Sequence, residues 1–208
     1  MKTIQQTTLE IILEKPEIAE ILSTNFVNIS SIARKIKPIV EEKLLKPITL
    51  ISIIIALKRI KEKMPKEERI FNEIPEIMIK SGFTEIIIDV NKNQKKINNM
   101  IREIFPNKNL ILTKGDKEIT FLINSKHYNK IKNQFKTKKV ITNLDILTLN
   151  FYEDIIEIPG VYYKILRGFK INQIPLVEIF STYSQLSLVV KSIHIEKAIK
   201  LLKNILEI

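Results

Sequence analysis

The chain has 208 residues, of which 45% are hydrophobic, and it carries a formal net charge of +11 and no cysteine. This length predicts one to three small domains, and the hydrophobic share is sufficient for ordinary cores. The absence of cysteine excludes a disulfide framework and thiol chemistry. The N-terminus lacks the apolar run of a signal peptide. The longest apolar run, residues 48–57, is far shorter than the roughly 20 residues that span a bilayer. We therefore expect a soluble, cytoplasmic protein without membrane contact.

The positive charge is concentrated in the first two thirds of the chain. Residues 1–70 carry a net charge of +4, residues 71–143 carry +7, and residues 144–208 are neutral overall. A basic N-terminal part joined to a neutral C-terminal part is typical of a protein in which one part binds a polyanion and the other binds a different ligand. A general bias toward Ile, Lys and Asn explains the same excess equally well, so the charge alone names no partner.

The first part of the chain is predicted to be helical. The residues Thr7 to Glu10 match a capping box in front of an apolar-periodic run. Pro16 interrupts this run and predicts either two short helices or one helix broken at Lys15. Asn28 is a suitable cap for a following helix.

Two further helices complete the predicted N-terminal module. Pro38 fits the first turn of a helix over residues 39–45. Thr49 can cap another helix over residues 50–64, which ends in basic residues. Residues 1–68 are therefore predicted to be an all-helical module.

This module has a partial likeness to a helix-turn-helix. Residues 31–36 resemble the first helix of that motif, and residues 50–64 would be the helix that reads DNA. A regular motif has a turn of three or four residues, whereas residues 37–47 intervene here. Ile51 and Ile55 on the outer face suit a protein contact as well as a DNA groove. DNA binding and a docking or dimerisation module both remain open. The candidate nucleic-acid-binding residues are Arg34, Lys35, Arg59 and Lys63.

Residues 69–143 are predicted to form a first unit of strands and helices. The charged, proline-broken residues 61–69 are the predicted linker, and residues 71–80 are predicted to form a short helix that Gly82 ends. The following elements have the order βαββαβ, which is the ferredoxin-like plan. Their predicted bounds are 85–90, 94–105, 110–113, 118–124, 126–135 and 139–142.

Residues 144–208 follow the same plan but lack its last strand. The first predicted strand alternates apolar and polar residues, and two later strands are close enough to form a hairpin. The predicted bounds are 144–151, 161–169, 174–181, 185–191 and 195–205. The fold class is therefore predicted to be α+β, with a helical module followed by ferredoxin-like units at 69–143 and 144–208.

The second unit also carries a family resemblance. The segments IPGVYYKIL at 158–166, VEIFST at 177–182 and LSLVV at 186–190 resemble an ACT domain, most closely the C-terminal ACT pair of aspartate kinases. This resemblance implies an allosteric regulatory domain that binds a free amino acid. Residues 84–143 resemble a diverged first copy without the proline–glycine loop, so the implied effector site lies in the second unit.

A candidate ligand site lies at the proline–glycine loop. The first amides of a helix, here those of Gly160, Val161 and Tyr162, can bind a carboxylate together with the helix dipole. The resemblance adds Glu178 as the acceptor for the ammonium group of an amino acid. The alternative is that the loop only makes a turn and Glu178 is solvated. The candidate ligand-binding residues are Pro159, Gly160, Val161, Tyr162, Val177, Glu178, Ser181 and Thr182.

No catalytic or metal-binding pattern accompanies this site. His127 and His194 have no partner at metal-ligand spacing, and the glycines form no phosphate-binding loop, so a kinase domain is predicted to be absent. We predict a non-enzymatic regulatory protein without cofactor, with an amino acid effector and with DNA or a protein as the partner of the N-terminal helices. A homodimer is expected because a missing strand exposes a sheet edge. The alternative is a scaffold that uses the ACT pair only for dimerisation.

Overall fold

The computed structural model describes residues 2–24, 26–64, 73–90, 97, 110–152 and 155–206. These residues form two compact units, which divide between Arg69 and Ile70. The first unit is helical and has a hydrophobic core of its own. Its helices are α1 (Ile4–Glu14), α2 (Pro16–Ser23), α3 (Ile29–Leu44) and α4 (Leu50–Lys63).

The first helix begins one turn earlier than predicted. Thr3 Oγ1 accepts a hydrogen bond from the Gln6 amide at 3.2 Å, and Gln6 Oε1 accepts one from the Thr3 amide at 2.9 Å. The capping box predicted further along the chain is wrong, because Thr7 and Thr8 are buried inside α1. A capping box does start this helix, but it is formed by Thr3 and Gln6, and Thr7 and Thr8 are buried in the core instead.

The breaks between the helices follow the local sequence signals. Lys15 separates α1 from α2, as predicted, and Pro16 occupies the first position of α2. Thr49 caps α4, as predicted, since its Oγ1 atom accepts a hydrogen bond from the Ser52 amide at 3.3 Å. The connection between α3 and α4 spans residues 45–49 and begins with Leu45 in a left-handed conformation.

The third helix is continuous where the sequence predicted two helices. Asn28 caps it as predicted, because its side chain accepts the Ser31 amide at 3.0 Å. Pro38 lies inside the helix, at a cost of about 3 kcal/mol. Ile36 and Val40 on either side of it are fully buried, and the burial of each contributes about 1.5–3 kcal/mol. Their burial offsets the proline, so the helix runs through.

The second unit is a six-stranded antiparallel sheet with the order β2-β3-β1-β4-β6-β5. The fold is therefore α+β, as predicted. The predicted helix at 94–105 lies outside the described residues, except for Ile97, which is buried. The strands are β1 (Glu76–Asp89), β2 (Leu110–Lys114), β3 (Glu118–Asn124), β4 (Thr137–Asn150), β5 (Glu178–Ser181) and β6 (Gln185–Lys191), and the helices are α5 (Tyr128–Lys132), α6 (Val161–Ile171) and α7 (Ile195–Leu206).

Two long strands, β1 and β4, belong to both ferredoxin-like halves of this sheet. The strands predicted at 139–142 and 144–151 are one continuous strand, β4. Residues 76–80 of β1 pair with residues 146–150 of β4 and thereby supply the fourth strand of the second half. The helix predicted at 71–80 is therefore wrong over residues 76–80. Pairing with β4 and the packing of Ile77 on the core of the second half outweigh the local helical signal.

Both long strands bend where one half passes into the other. Gly82 in β1 and Asn143 in β4 have positive φ values of 81° and 58°. The β1–β4 register shifts between Lys80 and Phe83, and the Gly82 amide donates to Asp145 Oδ1 at 3.2 Å. An irregularity of this kind bends and twists a strand, so the sheet is curled.

The curled sheet has apolar cores on both faces. The described helices pack on one face, where each half has its own core. On the opposite face, residues of both halves meet in a third group, which we call the internal cluster. It consists of Phe83, Leu122, Leu144, Ile146 and Val189, with Ile111, Ile141, Val177 and Phe180 packed against it.

Candidate ligand site at the start of a helix

The candidate site is built on the turn that opens α6. A short 3₁₀ helix, Ile155–Glu157, leads into Pro159 and Gly160. Gly160 is the N-cap of α6 and has a φ of +86°, a conformation that glycine adopts without strain. Since glycine has no side chain, no cap side chain bonds to the first turn of α6. Helix-start amides without such a cap are available to an anion.

One apolar face holds α6 against the sheet. Val161, Ile165 and Phe169 are at most 2% exposed, and they share a core with Leu188 of β6. Their spacing of four residues places them on one side of the helix. This packing fixes the start of α6 beside the hairpin formed by β5 and β6.

A small cavity of about 180 Å³ lies between α6 and this hairpin. Most of its lining residues are apolar, and Tyr162 and Ser181 are the two that carry a hydroxyl group. The volume is well below the roughly 300–1,000 Å³ of pockets that hold drug-sized ligands, so the cavity fits a single side chain. The lining residues are Tyr162, Leu166, Ile179, Phe180, Ser181 and Leu186.

The structure brings two of the eight predicted ligand residues, Tyr162 and Ser181, together at this cavity. Val161 is part of the core rather than of the cavity wall. Thr182 is exposed in the hairpin turn, where its amide donates to the Gln185 carbonyl at 3.0 Å. The site therefore centres on the first turn of α6 and the end of β5.

Glu178 lies on the other face of the sheet, with Val177 packed against the internal cluster there. In β5, Ile179 pairs with Leu188 of the helix-side core, whereas Glu178 pairs with Val189 of the internal cluster. Successive strand residues point to opposite faces. The Glu178 carboxylate is therefore remote from the cavity side, and the site proposed below does not include it.

On that other face Glu178 meets the carboxyl group of Glu85 on β1. Glu85 is 4% exposed, and its Oε2 atom has no hydrogen-bond partner among the described residues. Burial, followed by the charge of Glu178 and a hydrogen bond with it, raises the pKa of Glu85 to about 7, while Lys139 acts in the opposite direction. Glu85 is not among the predicted site residues, although an acidic residue at the head of the apolar run 86–88 is a sequence signal for a buried carboxyl group.

A second, wider cavity of about 560 Å³ is open to solvent beside β4. It is lined by residues 140–143 and by residues 191–193, and Lys191 is its charged residue. None of the predicted ligand residues lines it. The smaller cavity is therefore the one that the sequence analysis and the structure have in common.

The predicted nucleic-acid-binding residues lie on two helices of the first unit. Arg34 and Lys35 are exposed on α3, and Arg59 and Lys63 are exposed on α4. The Arg34 Nε donates to the Ser30 carbonyl at 3.4 Å. Exposure leaves all four cations accessible, and their role in DNA binding stays a prediction.

Two kinds of feature are missing from the part of the chain that the structure describes. No described group of three or more His, Cys, Asp or Glu residues could hold a metal ion. Within the same residues, no helix has the length and apolar character needed to cross a membrane.

Comparisons with known proteins place the fold. No protein-family model matches the sequence, and no curated protein matches it either. Solved structures do match. The aspartate kinase of Clostridium acetobutylicum has a TM-score of 0.54 at 20% identity, over 67% of this chain and 36% of that chain. The aspartate kinase of Synechocystis has a TM-score of 0.55 at 13% identity, over 65% of this chain and 27% of that chain.

A regulatory subunit of aspartate kinase matches as well. The ligand-free regulatory subunit of aspartate kinase from Thermus thermophilus has a TM-score of 0.53 at 9% identity, over 64% of this chain and 98% of that chain. The chain thus spans about a third of the Clostridium enzyme and nearly the whole Thermus subunit. At these identities the likeness shows the fold, which is ACT-like.

Proposed function

We propose that this chain is a regulatory protein that senses an amino acid through the second half of its sheet. The carboxylate of the ligand binds the amides at the start of α6, and its side chain enters the cavity beside them. The observation that carries this proposal is the position of Tyr162, which lies in the first turn of α6 and also lines the cavity. A single small ligand can therefore use both features at once.

The lining of the cavity favours an apolar ligand side chain. Leu166, Ile179 and Leu186 line it on the helix side of the sheet, and a charged group placed among them would be desolvated without a partner. Ser181 contributes a hydroxyl group at the cavity wall, which can accept a hydrogen bond from the ammonium group. The effector is accordingly an aliphatic or aromatic amino acid rather than a charged one.

The comparisons support a regulatory role at the level of the fold. The Thermus regulatory subunit matches over nearly its whole length, and it is named as a regulatory part rather than a kinase domain. The helical first unit would carry the response to a partner, either DNA through Arg34, Lys35, Arg59 and Lys63 or another protein. An ACT-type assembly favours a homodimer. The second candidate, a scaffold that uses the ACT pair only to dimerise, shares this fold without the ligand.

The first prediction is that an apolar amino acid stabilises the protein. A ligand that binds only the folded state raises the melting temperature as its concentration exceeds the dissociation constant. We expect leucine, isoleucine, valine or phenylalanine to raise Tm in a screen of the twenty amino acids, and aspartate and lysine to leave it unchanged. Calorimetric titration then gives Kd for the amino acid that binds.

A matched pair of tyrosine variants tests the site. Tyr162 lines the cavity, whereas the next residue, Tyr163, does not. Tyr162→Ala is expected to weaken binding by at least about tenfold, the equivalent of 1.4 kcal/mol, and Tyr163→Ala to leave Kd close to the wild-type value. If no amino acid binds the wild type at millimolar concentration, the sensor function is refuted and the scaffold function takes its place.

A further inference from the structure

Glu85 occupies an unusual position for a carboxyl group. In the sheet it lies opposite Leu122 of β3 on one side and Ile141 of β4 on the other, and both of these belong to the internal cluster. The side chain is 4% exposed and its Oε2 atom is buried without a partner among the described residues. A buried carboxylate without compensation is costly, so such a group tends to keep its proton.

The partner of Glu85 comes from the far edge of the sheet. Glu178 lies on β5, three strands away from β1 in the order β1-β4-β6-β5. In a flat sheet, three strand spacings would separate the two backbones by roughly 14 Å. The charge of Glu178 nevertheless acts on Glu85, because the sheet curls and its two halves meet. Val177 and Phe180, on either side of Glu178, belong to the partly buried residues packed against the internal cluster, which contains Leu122 of the first half. The contact therefore joins the first half of the sheet to the second.

The other charged residues near this pair act on Glu85 more weakly than Glu178 does, or lie at the ends of the strands. On β4, Lys139 attracts Glu85 but acts more weakly than Glu178. On the same face, β3 carries Glu118, which forms an ion pair with Lys138, and β6 carries Lys191 at its end. Asp89 of β1 is exposed. Strand β2 contributes the apolar Ile111 to the cluster.

We propose that Glu85 and Glu178 form a proton-sharing latch between the two halves of the curled sheet, and that loss of the shared proton loosens the halves from each other. In the closed state, one carboxyl group donates its proton to the other. When the proton passes to water, two carboxylates remain side by side in a largely apolar setting and repel each other. Separation of the halves lets water reach both groups and relieves this repulsion.

The bends of the long strands give the movement a hinge. Gly82 and Asn143 have positive φ values at the boundary of the halves, and β1 and β4 remain continuous through it. The halves can therefore move apart at the internal cluster while each keeps its helix-side core. This inference does not depend on the amino acid site, which lies on the other face of the second half.

Distance measurements between spin labels test the latch. The chain has no cysteine, so Asp116→Cys and Ser184→Cys give one label in the exposed hairpin turn of each half. In the full chain, the distance between the labels is expected to shift to larger values when the pH rises from 5.5 to 8. In the same background, Glu85→Gln is expected to abolish this shift, because glutamine keeps the shape and hydrogen-bonding ability of the side chain but does not titrate.

Two further variants make the result decisive. Glu178→Gln is expected to abolish the shift as well, and it decides the question alone if Glu85→Gln does not fold. Glu196→Gln, an exposed carboxylate on α7, is expected to retain it. A distance that does not change with pH in the labelled wild type overturns the proposal. So does a shift that persists in Glu178→Gln.

Discussion

The carboxyl group of Glu85 makes the free energy of unfolding depend on pH. Its pKa is raised from 4.5 to about 7 in the folded protein, first by burial and then by Glu178. Between these two pH values the folded state binds more protons than the unfolded state. The free energy of unfolding therefore falls as pH rises through this range, by at most about 1.4 kcal/mol per pH unit for one proton. The contribution of this group is fully present only below pH 4.5.

We predict that Glu85→Gln removes this part of the pH dependence. Urea unfolding at pH 5 and pH 8 should show the wild type losing more stability than the variant between the two conditions. The comparison of the two proteins cancels the groups that they share. An equal loss in both proteins would mean that Glu85 titrates in the folded state at its ordinary value.

At the scale of elements, Gly168 sets how closely α6 and α7 pack. A Cβ atom added to Gly168 would lie 2.5 Å from Ile205 Cδ1 and 3.2 Å from Leu201 Cδ1, so a side chain must displace α7 or its side chains. Gly168→Val is predicted to lower the free energy of unfolding by about 1–3 kcal/mol, the usual cost of overpacking. Chemical denaturation of the full chain measures this loss.

A second substitution separates crowding from any other effect of the valine. Ile205→Ala removes the side chain that the added atoms would meet, so the cost of Gly168→Val should be smaller in that background than in the wild type. This coupling is the difference that a double-mutant cycle measures. Equal costs in the two backgrounds would show that the helices do not touch at this point as the structure has them.

Elements were predictable where their signals are local. Asn28 and Thr49 cap their helices as predicted, because a cap hydrogen bond joins residues only three apart in the chain. Pro38 shows the limit of local signals. A proline after a short helical run reads as a new start, yet the burial of Ile36 and Val40 in the core of the first unit keeps α3 continuous.

At the scale of the whole molecule, the second half of the sheet depends on the first half for a strand. Residues 76–80 of β1 complete it by pairing with β4, and Ile77 packs on its core. We predict that a fragment of residues 144–208 does not fold alone, whereas residues 73–208 do. Without β1, residues 146–150 of β4 have an unpaired edge, and the core of the second half loses its contact with Ile77.

Circular dichroism and amide proton dispersion in NMR spectra of the two fragments check this prediction. A well-dispersed spectrum from residues 144–208 at low concentration would contradict it. The same pairing covers the sheet edge from which the homodimer was predicted, since residues 76–80 occupy that edge within the chain. The ACT resemblance still predicts a homodimer, and light scattering of the full chain measures its mass.

The candidate site could be predicted only where its features depend on residues that are close together in the chain. The turn at Pro159 and Gly160 and the amphipathic helix behind it follow from neighbouring residues, and both are present. The cavity joins Tyr162 to Ser181, and both were among the predicted ligand-binding residues. Glu178 was assigned to the same site, but its register with Val189 turns it to the opposite face.

The α+β class, the caps at Asn28 and Thr49 and the turn that opens α6 could be predicted from the amino-acid sequence, whereas the start of α1 and the continuity of α3 could not. The strand at residues 76–80 and the approach of Glu178 to Glu85 depend on the folded sheet. The difference lies in the range of the interactions. Helix hydrogen bonds and caps connect residues three or four apart, so their signals lie in short segments. Strand pairing, and with it the face on which each side chain lies, is set by partners far away in the chain.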